Sequence, residues 1–208
     1  MTVWWRALFL FSILNYVDSI APSPVLQRNK YNNSFRLTRS IRTRVHQLLK
    51  NYKEQQLGNK HFEDRSQQLK NLPLLSTDFY NWLSLTDWER LHAAFRDMQV
   101  YFSMLEWKRK QLEKEEKNQV AVVPASLPQS IKHIQLDLRD LMNQVSSQMS
   151  NIRSSWRKPA FPPTPLHPES SKTVWNSRVE GYIILRDLDL YLTKLARDFL
   201  LLASKTHF

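Results

Sequence analysis

A few pairs of side chains in this sequence have the types and spacing for recognition chemistry. Trp175 and Arg178 stand one helical turn apart, just after a proline-rich stretch. A large apolar ring beside a cation is the kind of anchor that carries binding energy at an interface. The alternative is that Trp175 caps an apolar core. Lys194 and Asp198 have i, i+4 spacing, which suits either a partner contact or a local ion pair. Arg39 and Arg42 fall off the apolar face of an early helix, as solvated cations or as contacts.

Catalytic and metal chemistry find less. Glu89-Arg-Leu-His92 has the Glu-x-x-His spacing of di-iron bundles, which also need a second such motif and further glutamates. No second copy exists, and Glu89 suits a helix cap better. The chain has no cysteine, which excludes thiol catalysis, cysteine-bound zinc and a disulfide scaffold. With only Gly58 and Gly181, a glycine-rich phosphate loop is excluded, and no nucleophile elbow appears. The six histidines are scattered. We expect no enzyme activity, no cofactor and no metal site.

These side chains need elements to hold them. Apolar residues at Leu37, Ile41, Val45, Leu48, Leu49 and Tyr52 predict a first helix from about Phe35 to Leu57, stopped by Gly58. Thr86 and Glu89 form a capping box for a second, whose stripe is Leu91, Phe95, Met98, Phe102 and Leu105. Its tail, Lys108 to Lys117, reads as a solvated face held by pairs such as Glu113 with Lys117. Ser126 and Gln129 repeat the capping box, with Pro128 suited to the first turn of a third helix. Its core face is Ile131, Ile134, Leu138, Leu141, Val145, Met149 and Ile152. The fourth begins near Ser171 and carries Val179, Ile183, Leu188, Leu192, Leu195, Phe199 and Leu202.

The connections run long, short, long, at roughly 59–85, 118–125 and 157–171. A parallel neighbour requires the chain to travel back along a helix about 33 Å long, which takes about ten extended residues or more. The first and third loops suffice, and the second suits an antiparallel neighbour. The expected fold is all-α: an up-up-down-down four-helix bundle with two long crossover loops.

At 208 residues with 42% hydrophobic content, one domain with a sizeable core is expected. Residues 1–19 read as a secretory signal, with Arg6, an apolar run Ala7–Leu14, and a cut before Ile20. A buried N-terminal helix is the alternative. Residues 20–208 then form the helical domain, secreted, with no membrane insertion. Asn32, in Asn32-Asn33-Ser34, is a candidate glycosylation site. The net charge of +11 suits an anionic cell surface or an acidic partner better than nucleic acid for an exported chain. A weak affinity for heparan sulfate fits that balance.

Particular segments carry a resemblance. Leu37-Thr-Arg-Ser-Ile-Arg-Thr, Asn51-Tyr52, Leu57-Gly58-Asn59-Lys60, Leu75-Ser-Thr-Asp and Leu85-Thr-Asp-Trp-Glu-Arg-Leu91 resemble ciliary neurotrophic factor-type cytokines. Trp175-Asn-Ser-Arg178, Tyr182-Ile-Ile-Leu-Arg186 and Arg197-Asp198-Phe199 are similar to the cardiotrophin-like type. Both belong to the interleukin-6 family of long-chain helical cytokines. The resemblance covers three of the four helices; the third matches only in pattern.

The resemblance implies a secreted growth factor of neurotrophic type that assembles receptors and activates JAK-STAT signalling. It implies three receptor-binding sites. Trp175 and Arg178 stand where members that bind a leukemia inhibitory factor receptor-like chain carry phenylalanine and lysine. A tryptophan there resembles members that use the glycoprotein 130 chain alone. Lys194 and Asp198 fall where a ciliary neurotrophic factor receptor alpha-like chain binds. Arg39 and Arg42, with the outer face of the third helix, would form a glycoprotein 130 site. The rival is a secreted amphipathic helical lipid-binding protein, which would show helical repeats punctuated by prolines. No such repeat is visible.

Overall fold

The computed structural model describes residues 23–75, 78–117, 126–159 and 173–205. The expected export signal, the expected cut before Ile20 and most of the proline-rich third connection lie outside the described residues. Five helices occur among them: α1 Pro24–Leu57, α2 Phe79–Ser84, α3 Asp87–Lys117, α4 Leu127–Ile152 and α5 Val174–Lys205. No described helix is long and apolar enough to cross a membrane.

Helix α1 begins at Pro24, not near Phe35 as the apolar spacing suggests, about three turns earlier. The Ser23 side chain accepts from the Leu26 amide at 3.3 Å, and Pro24 fills the first position, where its missing N–H costs nothing. The added turns pack through Tyr31 and Ser34, whose polar atoms conceal the buried face. At the other end Gly58 closes the helix at φ 67, a left-handed conformation that an L side chain resists.

The caps differ in completeness. The Thr86 hydroxyl accepts from the Glu89 amide at 3.3 Å, and the Glu89 carboxylate accepts from the Thr86 amide at 2.9 Å. At Ser126 only half the box forms. Its hydroxyl accepts from the Gln129 amide at 3.4 Å, while the Gln129 side chain turns to His133.

The directions of the long rods follow from who meets whom. Along α1, Ser34 meets Gln144 and Arg44 meets Asp137, so α4 runs antiparallel to α1. Arg42 meets Asp189 and Tyr52 meets Arg178, so α5 does too. Along α3, Arg90 meets Asp198 and Lys108 meets Ser177; Arg153 lies over Trp88 and Gln135 reaches Phe102. Helix α3 is therefore antiparallel to both α5 and α4. It follows that α1 and α3 point one way and α4 and α5 the other, the expected up-up-down-down bundle. One apolar core runs through it, built on Ile41, Tyr52, Met98, Leu138, Leu188 and Phe199 among others.

Three further expectations are corrected. Lys108 is not solvated: it is 2% exposed. Glu113 pairs with Arg109 at 2.5 Å, not with Lys117. Ile152 is exposed, because α4 ends there beyond the core.

Candidate docking surfaces

The first turn of α5 is held unusually firmly. Thr173 accepts from the Asn176 amide at 3.1 Å. The Tyr52 hydroxyl donates to the Arg178 carbonyl at 2.9 Å. The Lys108 ammonium donates to the Ser177 carbonyl at 2.9 Å, to the Ser177 hydroxyl at 3.3 Å, and to Gln111 at 2.8 Å. Burial pushes the Lys108 pKa down to about 8. This cradle closes because Gly181 has no side chain: a Cβ there would lie 2.1 Å from the Tyr52 hydroxyl.

On this fixed turn Trp175 is 50% exposed. Its ring meets Phe62 edge-on at 6.2 Å, and Phe62 meets Tyr182 at 5.0 Å. Trp175 is thus supported from one side and open on the other, between the anchor and core-cap readings. Val174 beside it is also exposed. Arg178 is half-buried and lines a cleft of about 290 Å³ with Gln55, Gln56, Glu115 and Glu116. The two residues share one turn, but Trp175 leans on the crossover while Arg178 faces the ends of α1 and α3.

Lys194 and Asp198 do pair, at 3.3 Å, but the partnership is unequal. Asp198 is 2% exposed. Its Oδ1 accepts from Arg90 at 2.5 Å and from the Trp82 indole at 2.6 Å. Arg90, equally buried, also donates to the Trp82 carbonyl at 2.6 Å and stacks over that ring at 4.9 Å. Asp198 therefore ties α2 to α3 and α5 and offers no free oxygen to a partner; only Lys194 reaches solvent. What the knot displays instead is the outer face of α2: Phe79 and Leu83 are exposed, and Tyr80 is 80% exposed. The spacing of α5 puts this patch about 35 Å from Trp175.

Sequence reading missed α2. The available signal was Asp78, whose carboxylate accepts from the Tyr80 and Asn81 amides and caps the turn.

Arg39 is exposed on α1 and lies over Phe35 at 5.7 Å. Arg42 pairs with Asp189 of α5 at 3.4 Å, so it leans away from α4. Asn32 lies within α1, half-buried, and the hydroxyl of its sequon serine, Ser34, is buried against Gln144 at 2.8 Å. Among the described residues no group of three His, Asp or Glu side chains is placed to hold a metal ion. His92 stacks on Trp88 while Glu89 serves its cap.

A family model described as Interleukin 11 matches residues 22–206, nearly the whole chain. The chain belongs to the interleukin 11 family. No individual curated protein matches it significantly. Interleukin 11 is an interleukin-6-type cytokine, so the broad resemblance holds, but the match is not to the ciliary neurotrophic factor and cardiotrophin-like subgroup. The family is one of secreted signalling ligands rather than enzymes, and its members engage glycoprotein 130-type receptors in general. In this interleukin 11 family member, two exposed aromatic patches thus lie at opposite ends of a rigid bundle.

Proposed function

We propose that this interleukin 11 family member is a secreted cytokine that gathers glycoprotein 130-class receptor chains and so activates JAK-STAT signalling. It performs no chemistry of its own. The observation that carries this reading is Trp175: a half-exposed indole on a helical turn already fixed by Lys108, Tyr52 and Thr173. Fixing an anchor before binding lowers the ordering cost of the complex. Tryptophan and arginine are the residue types that dominate interface energetics.

Residues 1–19 would direct export and be removed, leaving 20–208 as the cytokine. Trp175 and Arg178 would receive one signalling chain. The family match favours glycoprotein 130 there over a leukemia inhibitory factor receptor-like chain. Lys194, with Phe79, Tyr80 and Leu83, would receive a non-signalling alpha chain; a ciliary neurotrophic factor receptor alpha-like chain is the form the subgroup resemblance suggests. Arg39 on α1 is the candidate for a second glycoprotein 130 contact, with Arg42 at its edge. Asn32 would carry a glycan only if modification precedes burial of Ser34. Lipid carriage has no observation in its favour, since the core is closed and tied by buried polar knots.

The test is the double variant Trp175→Ala with Arg178→Ala. It should unfold at a denaturant midpoint near that of the parent. Its binding to the glycoprotein 130 ectodomain should fall by about 2 kcal/mol or more, roughly thirtyfold, with signalling lost in receptor-bearing cells. Normal signalling by this variant would refute the docking role.

A further inference from the structure

Helix α1 has an unusual charge pattern. Between Pro24 and Lys53 it carries eight Lys or Arg residues and not one Asp or Glu. With Glu54 as its sole carboxylate, this helix holds seven of the chain's eleven net positive charges. Solvated helices ordinarily interleave both signs through i, i+4 pairs; here only Lys50 and Glu54, at the end of the run, have that spacing.

Tertiary neighbours neutralise only the flanks. Asp189 of α5 meets Arg42 at 3.4 Å, Asp137 of α4 meets Arg44 at 2.6 Å, and Glu63 of the crossover meets Lys53 at 2.6 Å. The outward ridge is Arg28, Arg36, Arg39 and Lys50. All four are exposed, and none has a carboxylate within ion-pair distance among the described residues. At about 100° per residue they fall within about 80° of one another, and they extend along about 33 Å of helix. No large exposed hydrophobic lies between Arg28 and Lys50. Protein hot spots centre on buried aromatic or aliphatic anchors; apart from Arg39, which the proposed function gives to a receptor contact, the ridge offers nothing of that kind.

We propose that the outward ridge of α1 is a binding strip for a sulfated glycosaminoglycan. A linear polyanion matches a long, narrow, purely cationic surface. Planar guanidinium groups suit sulfate as they suit other oxyanions, by paired N–H donors. The choice of polyanion rests on the extracellular reading above; the strip itself rests on the geometry of α1. It would hold the cytokine at cell surfaces with an affinity set by salt.

The test uses the mature chain made without N-glycan, since Asn32 lies on the same ridge. Arg28→Gln, Arg36→Gln and Lys50→Gln are combined. A control removes equal charge elsewhere, by Lys60→Gln, Arg96→Gln and Lys132→Gln. Affinity for heparin is measured as a function of salt, beside retention on a plain sulfonate exchanger. The ridge variant should lose about tenfold or more in heparin affinity at physiological salt, with a shallower salt dependence. The control should lose far less, although both shift alike on the exchanger. Equal losses from heparin would mean bulk charge and overturn the proposal, as would a ridge variant that binds normally or an unsulfated chain that binds as well as heparin. These binding measurements need no receptor, so their failure is distinct from a failure of Trp175 and Arg178 to support signalling.

Discussion

At the scale of single residues, the informative side chains are polar groups that went inside. Lys108 is buried and pushed down to about 8 from an ordinary 10.5 by desolvation. Below pH 8 it is charged in both folded and unfolded chains, and the folded state bears the full cost of burying it. Between pH 8 and 10.5 the unfolded chain keeps the proton that the folded chain releases, so stability rises with pH. Relative to Lys108→Met, which lacks this titration, the parent should gain up to about 3 kcal/mol over that interval. Denaturant unfolding of both proteins at pH 7 and pH 10 measures it, and a constant difference would exclude the assignment. The Arg90–Asp198 pair makes the complementary case. Arg90→Met leaves a buried carboxylate with only Trp82 and Lys194, and should cost about 3–5 kcal/mol in urea unfolding. Adding Asp198→Leu should restore part of that loss.

Among the elements, α5 depends on one absent side chain. Gly→Ala inside a helix normally stabilises by about 1 kcal/mol. At Gly181 the new methyl would meet the Tyr52 hydroxyl at 2.1 Å and Lys108 Cε at 2.5 Å. Tyr52 is a buried ring held by its bond to the Arg178 carbonyl. Gly181→Ala should therefore destabilise by about 1–3 kcal/mol, a reversal of sign that thermal or chemical unfolding reports directly. Much of each element was legible because its signals are local. The Thr86–Glu89 box and the Gly58 stop act within one turn, and both occur as their spacing implies. The start of α1 is not legible because its inward residues there, Tyr31 and Ser34, carry polar groups. Apolar periodicity is silent where hydrogen bonds, such as those from Ser34 to Gln144 and from Gln148 to Ser34, replace apolar contact.

For the molecule as a whole, rigidity sets how far apart two partners can be held. The first crossover is bound to the bundle at several points. Arg186 donates to the carbonyls of Asp64 and Gln67, and Lys53 donates to Glu63. That bond from Lys53 is the main reason the Glu63 pKa sits below the usual carboxylate range. Through Phe62 the same crossover supports Trp175. Arg186→Ala should release this segment while leaving the four rods packed. Limited trypsin digestion should then cut faster after Arg65 and Lys70, with the helical signal unchanged; unaltered cleavage would show that the remaining bonds suffice.

The sequence by itself determined the four rods, most of their inward faces and the antiparallel pairing implied by a short middle connection. Each follows from periodicity, caps and chain length, which are properties of neighbours in sequence. Only the tertiary structure decided the roles of the charged residues. Asp198 and Lys194 look equivalent on one helix, yet Asp198 is drawn inward by Arg90 and Trp82, more than a hundred positions away. Arg42 and Arg44 look like their neighbours on the ridge, yet carboxylates on α5 and α4 claim them. Whether a charge is buried, paired or free depends on which distant groups the fold brings to it, and no local spacing encodes that.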